Sequence, residues 1–302
     1  MKKAINQWCF PSDWSWEAIF DLCQELGFQG VELCIDYTPF FSALHGSPAE
    51  PLINDIARSV GSTTSNAKSL RFDSPAHQIA RVGALAAEHG VAITSVLTLA
   101  QFHFSLVESD PKVRATGIGL VRRLLEIAEH LGAPNVLVVP GLVTSEIEYD
   151  DALSRLEDAL HMLAPEAAAR GVALAIEDVW GKFLYSPIEM RDLIDRVGSP
   201  HVGAHFDVGN VMQYGHPDQW IRILGGKRIR NVHLKDFDSN IGNIRGFTHL
   251  FQGDVPWDRV MTALRAVGYD GYLIAEVPPY RFAPQQGIRD ISRRMDILLE
   301  ST

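Results

Sequence analysis

Short apolar runs alternate along this chain with longer stretches whose apolar residues recur every three or four positions. The first pattern predicts buried strands and the second amphipathic helices. Strands are expected at 4–10 (AINQWCF), 30–35 (GVELCI), 91–99 (VAITSVLTL), 135–141 (NVLVVPG), 172–179 (VALAIEDV), 201–208 (HVGAHFDV), 229–236 (IRNVHLKD) and 271–277 (GYLIAEV). Helices are expected at 15–26, 75–89, 110–131, 149–169, 187–197, 218–225, 256–267 and about 286–299, with Ser15 placed to cap the first. Residues 36–74 break the rhythm. They are rich in Ser, Thr, Pro and Gly, with a short helical pattern at 51–60, and a loop of this length after a strand is the kind that forms lids.

The helix-to-strand joins repeat one device. LGFQG, EHGVA, HLGAP, ARGVA and VGYDG each put glycine where a helix C-cap needs it. Alternating strands and helices indicate a parallel sheet. Eight such units in 302 residues predict an α/β fold of the (β/α)8 TIM-barrel type, a single domain over 1–302. An open doubly wound sheet would carry a Gly-rich phosphate turn after its first strand, and CFPSDW is not one.

Composition narrows the function classes. With 46% hydrophobic and 21% charged residues, the chain has the make-up of an ordinary globular protein. A net charge of −10 argues against nucleic-acid partners and against anionic membranes. No apolar run is long enough to span a bilayer, and the N-terminus has no signal-peptide core, so a cytoplasmic location is expected. Cys9, Cys23 and Cys34 lack metal-site spacing and are expected as reduced, mostly buried thiols.

In a barrel of this type the chemistry sits at the C-terminal strand ends. Those of the second half offer Glu177, Asp207, His233 and Glu276, each one βα unit after the last. Any one acid at a strand end has an ordinary reading as a helix cap or ion-pair partner. Four such residues on consecutive strands converge on one mouth. Three carboxylates and an imidazole make a hard, mostly oxygen site for one divalent ion, best suited to Mn²⁺ or Mg²⁺ and open to Co²⁺ or Zn²⁺.

These residues, with GFQGVEL, AIEDVWGKFLYSPIEMRDLIDRVGSPHVGAHFDVGNV, RIRNVHLKDFD and GDVPWDRVMTALRAVGYDGYLIAEV, resemble the xylose isomerase-like TIM barrels over nearly the whole chain. That family includes ketose 3-epimerases, hydroxypyruvate isomerase, and inosose isomerases and dehydratases. The resemblance implies that Glu177, Asp207, His233 and Glu276 ligate a metal and that Glu177 and Glu276 are also the catalytic acid/base pair. The substrate would be a small sugar or sugar phosphate, enolised through a cis-enediolate stabilised by a chelated cation, with a carboxylate on each face. Many relatives are dimers or tetramers, so a homo-oligomer is implied too.

The supporting residues carry two readings each. His205 shares strand parity with Asp207 and either serves the site or packs in the core. Asn210 stands where several relatives have a histidine, and is expected on a sugar hydroxyl rather than on the metal. Trp8 and Phe10 either wall the sugar or pack. Lys182, Arg245 and His249 on catalytic-end loops, and His103 after the third strand, are candidate substrate contacts. Lys235 shares the parity of His233 and is expected in the mouth, with Asp236 pointing away. Gln252-Gly253-Asp254 replaces the Gly-Glu-Gly of many relatives. A three-zinc endonuclease, also built on this fold, would need histidines that the early strand ends supply only as a scattered His45 and His103. An inosose-type dehydratase uses the same quartet and stays open, as does a sugar-binding barrel without catalysis.

Overall fold

The computed structural model describes residues 1–36 and 69–301. Its strands are β1 (Lys2–Asn6), β2 (Gly30–Cys34), β3 (Ala92–Leu97), β4 (Asn135–Val138), β5 (Ala173–Glu177), β6 (Val202–Asp207), β7 (Ile229–Leu234), β8 (Asp236–Phe237), β9 (Phe247–Thr248) and β10 (Tyr272–Ala275). Eight of them close into a parallel barrel in the order β1-β10-β7-β6-β5-β4-β3-β2, and β8 and β9 form a separate antiparallel ribbon. The α-helices are α1 (Trp16–Glu25), α2 (Ala76–Glu88), α3 (Pro111–Leu131), α4 (Tyr149–Ala169), α5 (Pro187–Val197), α6 (Val208–Val211), α7 (Pro217–Leu224), α8 (Trp257–Ala266) and α9 (Pro284–Glu300). The expected helix at 51–60, His45 and most of the expected 36–74 loop lie outside the described residues.

Local chemistry explains why the elements begin and end where they do. Ser15 Oγ accepts from the Ala18 N–H and caps α1, while Asp110 caps α3 with Pro111 in its first turn. Gly27, Gly90, Gly132, Gly171 and Gly268, one in each repeated join, have φ between +65° and +71°. That left-handed conformation ends a helix without the steric penalty a Cβ would bring.

The first strand is shorter than the expected 4–10. The Asn6 side chain accepts a hydrogen bond from Trp8 N at 2.8 Å and turns residues Gln7–Cys9 into a 3-10 turn. The seventh strand also stops early, at Leu234, because Asp236 and Phe237 leave the barrel to pair with Thr248 and Phe247. All three cysteines are free, with Cys9 and Cys23 buried, and burial pushes the Cys9 thiol up to about 12.

The barrel strands are buried almost throughout, as parallel strands covered by helices must be. Inside the barrel lies a polar layer rather than a purely aliphatic one. Asn6 and Ser95 donate to the two oxygens of Glu32 at 2.6 and 2.5 Å, and Asn231 donates to Ser95 at 3.0 Å. Each of these residues is buried, so these hydrogen bonds stand in for ones to water.

Candidate metal centre

The four acidic and imidazole side chains expected to converge do so. One ligand atom each from Glu177, Asp207, His233 and Glu276 lies within 4.8 Å of the others, and all four residues are buried. Glu177 ends β5, Asp207 ends β6, His233 is next to last in β7, and Glu276 follows β10. Asp207 pairs with His233 in the ladder, which sets the two side by side. His233 Nδ1 lies 3.2 Å from Glu177 Oε1, 3.4 Å from Glu276 Oε2 and 3.6 Å from Asp207 Oδ2.

Each oxygen of Asp207 has its own task. Oδ1 accepts from Asn210 N at 3.0 Å and caps the short helix α6, while Oδ2 faces the other acids. The Asp207 backbone N–H is fixed by Asp178 Oδ1 at 2.7 Å. Gly209 lets this turn lie against the next strand, because a Cβ there would meet Lys235 Cγ at 2.5 Å and the Lys235 carbonyl oxygen at 2.8 Å.

Lys235 points into the mouth, as its parity implies. Its Nζ lies 2.6 Å from Asp207 Oδ2 and donates to Glu276 Oε2 at 2.6 Å. The carboxylates thus gather a cation even from their own chain. Three carboxylates and an imidazole nitrogen, drawn this close and otherwise buried, fit a divalent ion of hard or borderline character.

The electrostatics are those of an acidic cluster compensated in part by Lys235 and His233. Burial, with the neighbouring charges of Glu276 and Asp207, pushes the Glu177 carboxyl up to about 7 against the pull of His233. Burial also disfavours the charged form of Asp207, but the Lys235 ammonium and His233 outweigh it and hold this carboxyl below the usual range. Burial acts against the charged forms of His233 and Lys235, yet the surrounding carboxylates raise both.

Glu32 was missing from the expected site and lies directly against it. Its Oε2 lies 2.6 Å from His233 Nε2, on the far side of the ring from the quartet. Burial opposes the Glu32 charge, but His233 and His205 hold the carboxyl at about 2. It is therefore a carboxylate, and the imidazole N–H donates to it. The signal was in the sequence: a lone acid inside the apolar run GVELC, on a strand buried on both faces.

The supporting residues divide. Trp8 and Asn210 line a cavity with Glu177, Lys235, Glu276, Trp180 and Phe247. His205 does not line it. It lies fully buried beneath the quartet, its ring 4.1 Å from that of His233 and its Nε2 3.7 Å from Glu32 Oε1. Burial drives its pKa down to about 3, so it packs as neutral imidazole. Lys182 and Arg245 are exposed, and His103 is buried away from the cavity lining. Phe10 is buried against Trp14, and His249 packs edge-on to Tyr280. Asp236 points away from the mouth, accepting from the N–H groups of Phe237, Phe251 and Val255 and from Trp257 Nε1.

Residues 20–298 match the model of the family described as xylose isomerase-like TIM barrel. The chain is 24% identical over 271 residues to the L-ribulose-5-phosphate 3-epimerase UlaE of Salmonella paratyphi A, covering 89% of this chain and 85% of that one. Among solved structures it superposes on the zinc-bound IolI protein with a TM-score of 0.75 at 17% identity, covering 100% of this chain and 99% of the other. It superposes on D-psicose 3-epimerase of Clostridium cellulolyticum H10, solved with D-tagatose, with a TM-score of 0.73 at 16% identity, covering 100% and 99%. These superpositions establish a shared fold.

Proposed function

The chain belongs to the xylose isomerase-like TIM barrel family, and on that premise we propose that it is a divalent-metal-dependent sugar isomerase or epimerase. The observation that carries this reading is the buried quartet of Glu177, Asp207, His233 and Glu276 beside a cavity. All four would hold the ion, with Mn²⁺ the best match to a site of three oxygens and one nitrogen. When bound, such an ion supplies positive charge to the oxygens of a hydroxyketone and lowers the cost of enolisation.

The chain's own residues do the proton work. Glu177 and Glu276 both line the cavity and come from staves separated by β6 and β7. One removes the proton from the carbon beside the carbonyl and the other returns a proton to the resulting planar enediolate. A carboxyl raised to about 7 suits that exchange near neutral pH. Asp207 and His233 hold the ion, and Lys235 offers an ammonium to a substrate oxygen. The cavity's indoles, Trp8 and Trp180, give a sugar ring an apolar face to lie on. The epimerase names among the relatives support the same class.

The test is deuterium incorporation next to the carbonyl, followed by NMR in D₂O over a panel of free and phosphorylated ketoses with Mn²⁺ present. Exchange with every oxygen retained is expected. Loss of water from the product would replace the isomerase by a dehydratase. Glu177→Gln and Glu276→Gln should each abolish conversion of the ketose to its epimer in a folded protein, and substantial conversion in either would defeat the two-carboxylate assignment.

A further inference from the structure

The mouth of the barrel is divided in two. The ligand residues come from β5, β6, β7 and the end of β10, four consecutive staves of the closed order. Strands β3 and β4 and the segments just after them contribute Leu97, Leu99, Phe102, Leu137 and Val139 to the same cavity. A hydroxyketone whose oxygens face the ligand half has these side chains opposite it in the cavity.

Among the described residues, that wall offers no hydrogen bonds to spare. Thr98, its polar member, donates its hydroxyl to the Ile35 carbonyl at 2.9 Å. Gln101 stands behind the wall with both ends used. Its amide donates to Leu137 O at 3.0 Å, and its carbonyl accepts from Val139 N at 3.1 Å. The backbone at the end of β4 is therefore satisfied from behind while its aliphatic side chains face the cavity. A sugar hydroxyl pressed there would lose water and gain no partner.

Charge points the same way. Among the described residues, the cavity's one cationic side chain is Lys235, which stands in the ligand half beside Asp207 and Glu276 and not on the apolar wall. Lys182 and Arg245, the loop cations offered as candidate substrate contacts, are exposed and off the lining. A phosphate dianion at the far end would meet, among the described residues, aliphatic groups and no cation.

The geometry points to a substrate that is an uncharged hydroxyketone with an apolar distal end, such as a deoxy-ketose or an alkyl- or aryl-substituted ketose, rather than a sugar phosphate. This deepens the proposed function and rests on it. It also separates the chain from its curated ribulose-phosphate epimerase relatives.

The test is a calorimetric ranking of matched ligands on the Mn²⁺-loaded chain: a 6-deoxyketohexose, the parent ketohexose of the same configuration and its 6-phosphate, repeated across configurations. The deoxy sugar should bind about tenfold more tightly than its parent, and the phosphate most weakly. Val139→Thr, which adds a hydroxyl to the wall at nearly constant size, should shrink the deoxy preference at least about threefold. A phosphate that binds most tightly, equal affinities throughout, or no binding by any ligand would overturn the proposal. Binding in the expected order without deuterium exchange in the bound ketose would instead defeat the isomerase reading and leave the ligand preference standing.

Discussion

His233 donates its Nε2 proton to Glu32 Oε2 at 2.6 Å, with both side chains fully buried. The bond leaves Nδ1 as the nitrogen that faces Glu177, Asp207 and Glu276. Glu32 is itself fixed by Asn6 and Ser95, so the ring cannot turn without breaking a buried network. A carboxylate that orients a ligand histidine and raises its basicity typically contributes about 10- to 100-fold in metal affinity. Glu32→Gln should therefore weaken Mn²⁺ binding by that factor and alter the visible spectrum of the Co²⁺-loaded protein. An unchanged affinity and spectrum would show that packing by itself holds the ring.

Metal binding should release protons. Burial raises the Glu177 carboxyl to about 7, and the carboxylates around His233 raise its pKa despite burial. An ion held by the proposed quartet would need Glu177 ionised and Nδ1 of His233 bare, so protons and metal would compete. The sign is fixed: affinity should fall as pH drops below 7, by about a decade per pH unit for each proton displaced. Mn²⁺ titrations between pH 5.5 and 8, with calorimetry in buffers of different ionisation enthalpy, read this directly. A pH-independent affinity would contradict it.

The quartet was legible in the sequence because each member sits at the end of an apolar strand, one βα unit after the last, and strand parity aims it. Lys235 and Asp236 followed from the same parity. Glu32 escaped because it lies within β2 rather than at the strand end, where barrel chemistry is expected. Lys182 and Arg245 misled for a different reason. Their loops have no periodicity, and nothing in composition says whether a loop cation turns inward or to water. The turn after β1 depended on one hydrogen bond, from Trp8 N to the Asn6 side chain, which an apolar count does not register. The β8–β9 ribbon has two residues in each strand, too few to show alternation.

Lys235 competes for the carboxylates that a metal would occupy. Its ammonium lies 2.6 Å from both Asp207 and Glu276. Removing one partner of a buried ion pair typically costs about 3–5 kcal/mol because the other charge is left uncompensated. Lys235→Met should therefore lower the melting temperature of the chelator-treated protein. It should also enlarge the thermal shift on adding Mn²⁺, since the ion no longer displaces an ammonium. A variant with an unchanged chelated Tm, or a smaller Mn²⁺ shift than the unaltered chain, would rule out this competition.

Asp236 anchors the segment that carries the cavity wall past β7. Its Oδ1 accepts from Phe237 N and Val255 N at 2.9 and 3.0 Å, and its Oδ2 from Phe251 N and Trp257 Nε1 at 2.8 and 2.9 Å. The side chain is fully buried, so these four donors replace its water. The segment so tied includes β9, whose Phe247 lies on the cavity wall under Lys235, the ammonium 4.6 Å from the ring centre. Asp236→Asn keeps the shape but sets an amide N–H₂ against two donors, and hydrogen bonds to a charged acceptor are worth about 1.5–3 kcal/mol each. A loss of about 2–4 kcal/mol in denaturant unfolding is expected. The metal affinity should change far less, because Asp236 faces away from the quartet. If instead metal binding fell as steeply as in Glu32→Gln while stability held, the carboxylate would have to be assigned to the metal centre.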